Sequence, residues 1–197
     1  MDAKEIEDLL KAFRWNTLQR MYGCAHNSII GFISTEWISQ LDCNSILDGA
    51  PSPITGNGRM DQKNADIILC RGNKPFIIVE VETSVDKYPE KIKTLSDYLN
   101  KAKYFDDVEF GLLFMSNLQN GERKYQHNWD EIKEKIKEKN DSIALISINK
   151  EKVSLCDDTL SHLRKRNDYS PWNIVKIDYW IHKKGQSKIA EGNLWKK

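Results

Sequence analysis

The chain has 197 residues, of which 40% are hydrophobic and 10% aromatic, and its 30 Lys and Arg stand against 29 Asp and Glu. This length suits one compact domain, and the apolar content is sufficient for a core, which excludes a wholly disordered chain. Ten Gly and five Pro are too few for a collagen-like or linker-like chain. We therefore expect a single domain over residues 1–197.

The near-neutral net charge conceals two unequal parts. Residues 159–197 hold nine basic and three acidic residues, a balance of +6, whereas residues 1–158 hold 21 basic and 26 acidic residues, a balance of −5. We interpret 159–197 as a basic, aromatic-rich carboxy-terminal extension of the same domain.

Several cellular contexts can be excluded from the sequence. It has no run of about 18 apolar residues that would predict a membrane span, and its start lacks the basic-then-apolar order of a signal peptide. Its four Cys form no CxxC pair. We therefore expect a cytoplasmic protein without membrane contact, in which the thiols are reduced and buried.

The first 64 residues predict two helices and a loop. Apolar residues recur at helical spacing over 3–22, with a break near Trp15, and again over 27–42 around Trp37. Residues 48–64 are rich in Gly, Pro, Asn and Asp, a composition typical of a loop.

From residue 65 onward the chain alternates between strands and helices. Two runs rich in Ile and Val, 65–70 and 75–83, predict a β-hairpin of central strands, because their apolar residues occupy both faces. The elements predicted after the hairpin are a helix over 86–105, a strand over 109–115, a helix over 129–139 and a strand over 142–148. This order implies an α/β fold with a mixed central sheet flanked by helices.

Carboxylates lie inside this apolar hairpin. Asp66 opens the first strand, and Glu80 and Glu82 end the second. Because successive strand residues alternate between faces, we expect Glu80 and Glu82 to share a face with Phe76 and Ile78. A solvated strand end is the simpler interpretation, but apolar residues surround these acids on both faces.

The length of the hairpin turn decides whether the carboxylates meet. If the turn is residues 72–74, Arg71 pairs with Pro75, and counting back places Asp66 opposite Glu80. Like charges at that separation require either raised pKa values or a cation. An oxygen-seeking divalent ion such as Mg²⁺ fits, since carboxylates, waters and a substrate phosphate commonly hold it.

At this point the sequence resembles a known family. Ala65-Asp66-Ile67-Ile68-Leu69, a turn, and then Ile78-Val79-Glu80-Val81-Glu82 are similar to the motif of the PD-(D/E)xK nuclease superfamily, which includes many type II restriction endonucleases. Asp66 matches the Asp of that motif and Glu80 its acid, while Glu82 stands where Lys is usual. The resemblance implies a restriction-endonuclease-like fold with an αβββαβ core.

The resemblance also implies a metal site. Asp66 and Glu80 would hold Mg²⁺, with Mn²⁺ able to substitute, and the Val81 backbone carbonyl would be a further ligand. Family members often carry an acid on an earlier helix that faces the metal, and Glu36 is the candidate here. Its sequence context suits an exposed position equally well.

The residue that handles the attacking water has three candidates. Glu82 is the first, since some similar family members have Glu there. Others move the Lys to the following helix, where Lys87 and Lys91 lie four residues apart and so share a face. We favour Lys91 slightly, and an ordinary solvated helix face explains both lysines as well.

The basic surplus of the extension predicts nucleic-acid contacts. Arg164, Lys165 and Arg166, together with Lys183 and Lys184, would neutralise phosphates, or would form a solvated rim. The aromatic residues among them are expected mostly in the core or at a dimer contact. The four His are scattered without the spacing of a metal helix.

The resemblance thus implies a Mg²⁺-dependent DNA endonuclease, of the type II restriction class, acting as a homodimer on double-stranded DNA. Two alternatives stay open. A non-catalytic nucleic-acid-binding module with a degenerate nuclease fold would explain the missing Lys. A repair or recombination nuclease that recognises structure would use the same site.

Overall fold

A computed structural model of the chain describes residues 1–20, 26–41, 43–47, 65–72, 74–101, 108–116, 122–152, 172–186 and 190–196. Within these residues the helices are α1 Ala3–Ala12, α2 Asn16–Arg20, α3 His26–Gln40, α4 Tyr88–Lys101 and α5 Glu122–Lys139, with a 3-10 turn at Val85–Lys87. The strands are β1 Asn44–Leu47, β2 Ile67–Arg71, β3 Lys74–Glu82, β4 Phe110–Met115, β5 Ile143–Lys152, β6 Trp172–His182 and β7 Ala190–Lys196.

The seven strands form one sheet in which they lie in chain order. β1, β2 and β3 are antiparallel neighbours, β3, β4 and β5 run parallel, and β6 and β7 are antiparallel again. α4 and α5 make the crossovers that parallel neighbours require. The expected α/β class with a mixed central sheet is therefore confirmed.

Helices cover both faces of the sheet. One apolar cluster joins Leu10, Leu18 and Ile33 of α1, α2 and α3 to Val79 and other residues of the sheet. The second cluster joins α4 and α5 to the opposite face, which includes Ile78. All residues of β3 from 76 to 82 are buried, which confirms the expectation of a central strand covered on both faces.

The break near Trp15 is also confirmed. α1 begins in a capping box. Asp2 Oδ1 accepts from the Glu5 N–H at 2.8 Å, and the Asp2 N–H donates to the Glu5 carboxylate. The helix ends where Phe13 becomes extended. The indole Nε1 of Trp15 then donates to the Leu10 carbonyl at 2.8 Å, which satisfies a carbonyl of the last turn.

The hairpin turn is tighter than expected. Arg71 pairs with Lys74, not with Pro75, so the connection has two residues. Gly72 has φ +61°, a left-handed conformation that glycine adopts without a side-chain penalty and that two-residue hairpin turns demand.

A β-bulge at Phe76 restores the register that the shorter turn shifts. Pairing resumes beyond the bulge, with Ile67 opposite Val79. The same register carried one residue further, past the start of β2, sets Asp66 opposite Glu80, which is the expected relation. The bulge also turns Phe76 into the cluster beneath α1–α3. The expectation that Phe76 shares a face with Glu80 is therefore wrong.

Other boundaries differ from those expected. β1, β6 and β7 have no counterpart among the predicted strands, because the four residues of β1 are too few for a pattern and β6 mixes polar and apolar residues. α5 starts at Glu122, and the loop expected over 48–64 lies outside the described residues. Tyr179 and Trp180 are buried, as expected for aromatic residues of the extension.

Two of the four Cys are described. Cys70 is buried and Cys43 partly exposed, while Cys24 and Cys156 lie outside the described residues. No described helix combines the length and the apolarity needed to cross a bilayer.

Candidate functional site: a carboxylate and lysine cleft

A cleft of about 450 Å³ opens at the carboxyl end of β3. Strand β3 contributes one wall, α4 a second and the first residue of α3 a third. The lining residues include His26, Glu80, Val81, Glu82, Lys87 and Lys91. Most of the residues predicted from the hairpin motif and the following helix therefore meet at one place.

The alternation of β3 explains which groups reach the cleft. Glu80 and Glu82 point to the α4 side of the sheet, whereas the Val81 side chain packs in the opposite cluster. Val81 thus lines the cleft through its backbone. Its N–H donates to Asp66 on the β2 side, and because both backbone groups of a strand residue point the same way, its carbonyl is directed there too. Strand β2 begins only at Ile67, so this carbonyl lies beyond the paired part of β2.

Lys91 joins the two carboxylates that the register brings together. It lies in the first turn of α4, and its Nζ donates to Asp66 Oδ2 at 3.3 Å and to Glu80 Oε2. Glu80 is 1% exposed, so this contact is shielded from solvent. The expectation that Lys91 reaches back to the strand acids is met.

Asp66 is fixed from three directions. Its Oδ2 accepts from the Val81 N–H at 2.7 Å as well as from Lys91. Its Oδ1 lies 3.4 Å from His26 Nε2. These contacts hold the carboxylate beside two residues that line the cleft, Lys91 and His26.

Burial dominates the electrostatics of the pair. It raises the pKa of Glu80 to about 8; the Lys91 charge opposes this rise and the Asp66 charge adds to it. Burial lowers the pKa of Lys91, but the attraction of Glu80 and then of Asp66 outweighs it, so that the net direction is upward. Burial and the same two carboxylates also raise the pKa of Tyr98, which lies on α4. Burial therefore disfavours the negative charge of Glu80, which a proton or a neighbouring positive charge offsets.

Glu82 points its carboxylate at the backbone. Its Oε1 accepts from the Thr83 N–H at 2.8 Å and from the Ser84 N–H at 2.7 Å. These two bonds stabilise the turn between β3 and α4, where N–H groups lack partners of their own. The residue at the usual Lys position thus has a structural task next to the cleft.

Glu36 is placed away from the cleft. It lies ten residues after His26 on α3, about 15 Å along the helix. Its carboxylate accepts from Arg14 Nε at 2.8 Å, from the Arg14 N–H at 3.0 Å and from Gln40 at 3.3 Å. The expectation that Glu36 faces the metal is not met, because Arg14 already satisfies a buried charge there.

The basic residues of the extension are not brought to the cleft where they are described. Lys183 and Lys184 follow the end of β6, which pairs with the start of β5. The cleft adjoins the other end of the parallel strands, about 17 Å away along a strand. The Lys183 ammonium lies 5.4 Å from the Phe110 ring centroid. Arg164, Lys165 and Arg166 lie outside the described residues.

Asp66, Glu80 and the Val81 carbonyl are the groups that could hold a divalent cation, but they do not form a preformed cage. No group of three or more His, Cys, Asp or Glu among the described residues is close enough to hold a metal. Glu82 turns to the backbone, and Lys91 contacts the other two acids. Glu80 Oε1 is nevertheless buried and has no described hydrogen-bond partner. Two carboxylates, a backbone carbonyl and open cleft volume are what Mg²⁺ requires when waters complete its shell.

His26 is a cleft residue that the sequence did not predict, as are Thr83, Glu90 and Thr94. Only the fold brings the start of α3 to the strand that Asp66 precedes, 40 positions later in the chain. No periodic pattern signals such a contact, and the four His are scattered in sequence. The one local feature of His26 in the sequence is its place immediately before the helix predicted over 27–42.

Comparison of the chain with known protein families, with curated proteins and with solved structures gives no match. What the cleft does is therefore inferred from its own residues.

Proposed function

We propose that this protein is a metal-dependent nuclease that hydrolyses phosphodiester bonds in double-stranded DNA. The observation that carries the proposal is the contact of Lys91, which lines the cleft, with both Glu80 in the cleft and Asp66 beside it. Two acids and a lysine at the end of a central hairpin are the groups that the PD-(D/E)xK resemblance requires. The lysine comes from α4 and not from position 82.

The order of elements supports a restriction-endonuclease-like fold. The succession α3, β1, β2, β3, α4, β4 has the αβββαβ order that the resemblance implies. The cleft lies where β3 ends and α4 begins, so the acids and the lysine are supplied by consecutive elements. A cytoplasmic homodimer that cuts two-fold sites, as a type II restriction enzyme would, is the form of this proposal that the resemblance favours.

Asp66, Glu80 and the Val81 carbonyl would hold the cation, Mg²⁺ or Mn²⁺ in its place. When bound, such an ion neutralises a phosphate oxygen and lowers the pKa of a water molecule. Residues of the protein would position the ligands and bind the substrate. Asp66 is kept in place by the Val81 N–H, so the ligand geometry is set before substrate arrives.

The cationic side chains of the cleft would bind and orient the substrate. Lys91 would place an ammonium beside the phosphate oxygens that carry growing charge during attack. Lys87 is exposed on the same wall and would contact a neighbouring phosphate. His26, beside Asp66, would exchange a proton with water at the cleft mouth.

A non-catalytic nucleic-acid-binding module is the second candidate. The observation that favours it is the ion pairing of Lys91 with both acids, because the lysine already supplies a positive charge where a metal would bind. Such a module would bind DNA with the same affinity in Mg²⁺ and in EDTA. A structure-specific repair nuclease would use the same cleft and differs only in substrate.

Incubation with supercoiled plasmid separates these possibilities. The wild-type protein should cut in Mg²⁺ and not in EDTA, and Asp66→Asn should abolish cutting. Glu138→Gln, at an exposed carboxylate of α5, is the matched control and should cut normally. Discrete fragments favour a restriction enzyme, and cuts confined to branched substrates favour a repair nuclease. DNA binding without cutting by the folded wild-type protein would reject the nuclease proposal.

A further inference from the structure

The ammonium group of Lys91 occupies the space between the two cleft carboxylates. It contacts Asp66 Oδ2 at 3.3 Å and Glu80 Oε2. An ammonium is a compact point charge, so one that contacts an oxygen of each carboxylate offsets part of their negative charge, as a small cation would. Any divalent cation held jointly by both carboxylates would need the same space.

The ammonium leaves this pair of acids incompletely satisfied. Glu80 Oε1 is buried and unpartnered within the described part of the chain, although Glu80 itself is only 1% exposed. A buried carboxylate oxygen without a partner is costly. A divalent cation coordinates several oxygens at once. It would bind groups that Lys91 does not contact, namely Glu80 Oε1 and the Val81 carbonyl.

Lys91 has room to withdraw without moving α4. Its side chain is 24% exposed, far more than Glu80, and it lines an open cleft of about 450 Å³. The flexible four-carbon stem of lysine lets the ammonium move by rotation of its side chain alone. Withdrawal would move the Lys91 ammonium towards Lys87, on the wall of the cleft that would face a phosphate of the substrate.

We propose that Lys91 is the resident counter-ion of the Asp66–Glu80 pair, and that a divalent cation binds there by displacing its ammonium. This inference rests on the metal site of the proposed function and concerns the protein before nucleic acid arrives. Lys91 therefore weakens cation binding. It also couples cation binding to the delivery of a positive charge into the cleft.

Titration of the DNA-free protein with Mn²⁺ by isothermal calorimetry tests the competition. Lys91→Met keeps the length of the stem and removes the charge, and it should bind Mn²⁺ at least about tenfold more tightly than wild type, since the lost repulsion acts at close range. Lys87→Met is the matched control. It removes an equal charge from the same cleft without freeing the carboxylates, so its affinity should change by less than about threefold.

Two further variants keep the test decisive if Lys91→Met folds poorly. Lys91→Gln should also bind Mn²⁺ more tightly than wild type, whereas Lys91→Arg retains the charge and should not. Melting temperatures give a second readout, because Mn²⁺ should raise that of Lys91→Gln more than that of wild type.

The outcomes distinguish this inference from the proposed function. Equal Mn²⁺ affinity in wild type, Lys91→Met and Lys91→Gln, with binding lost in Glu80→Gln, would overturn the displacement and leave the metal site intact. An equal gain in Mn²⁺ affinity in Lys87→Met and Lys91→Met would show that any loss of positive charge near the cleft has the same effect. That result would also overturn the displacement. Absence of Mn²⁺ binding that depends on Asp66 and Glu80 in every variant would overturn both the inference and the proposed nuclease.

Discussion

Glu82 stands at the position where the family resemblance places Lys, and its replacement separates a structural role from a chemical one. Its carboxylate is 8% exposed and accepts the N–H groups of Thr83 and Ser84. We predict that Glu82→Ala destabilises the turn between β3 and α4, and that the carboxylate charge is not required for cleavage. Glu82→Lys should destabilise equally, because an ammonium accepts no hydrogen bond.

The size of the effect follows from the two hydrogen bonds. Each bond to a charged acceptor contributes about 1.5–3 kcal/mol, so complete loss of both would cost about 3–6 kcal/mol. Thr83 and Ser84 are only half-buried, so water replaces part of what is lost. We therefore expect a decrease of about 2–3 kcal/mol in the free energy of unfolding for Glu82→Ala. Glu82→Gln retains an accepting oxygen and should lose less than about 1 kcal/mol.

Urea unfolding with a common slope measures these differences, and plasmid cleavage is followed on the same preparations. Asp86→Ala, at an exposed acid of the same turn, is the control and should behave as wild type. If Glu82→Gln is as stable as wild type but loses its cleavage activity, the carboxylate takes part in the chemistry and the structural assignment is wrong. Full stability of Glu82→Ala would contradict it as well.

Three further predictions concern other sites. Lys11 and Tyr179 donate to Glu7 and hold the pKa of its carboxyl below the ordinary 4.5. The stabilisation from these contacts is complete above pH 4.5 and is lost as the pH falls through the lowered pKa. The urea midpoint of Glu7→Gln should therefore fall less steeply below pH 4.5 than that of wild type. Glu36→Gln should lower the melting temperature and leave the Mg²⁺ requirement of cleavage unchanged, and a changed Mg²⁺ requirement would return Glu36 to the site. His26→Ala should slow cleavage about tenfold or more at an unchanged melting temperature, and unchanged cleavage would remove His26 from the site.

The hairpin could be predicted from the sequence because its rules are local. The alternation of faces and the apolar flanks predict two central strands with carboxylates at one end. The expected register was right at Asp66 and wrong at Arg71, because the two-residue turn and the bulge at Phe76 cancel each other. Counting residues from a turn cannot reveal a bulge, since the bulge depends on how a side chain packs against other elements.

Long-range contacts account for what the sequence could not predict. His26 lies beside Asp66, and Arg14 forms an ion pair with Glu36, only because α3 packs across the sheet. Lys91 could be proposed from its spacing along the helix, but its contact with both acids depends on where α4 crosses β3. The strands β6 and β7 were missed because polar residues interrupt their apolar pattern.

The most direct test is the rate of Mg²⁺-dependent plasmid cleavage by wild type and Glu80→Gln under single-turnover conditions. Glu80 is buried at the centre of the cleft and would be a ligand of the cation, so its neutral isostere should cut at least about 100-fold more slowly. Circular dichroism and urea midpoints would show that both proteins are folded. Equal rates in Mg²⁺, or cleavage by wild type that persists in EDTA, would contradict a metal-dependent nuclease built on Asp66, Glu80 and Lys91.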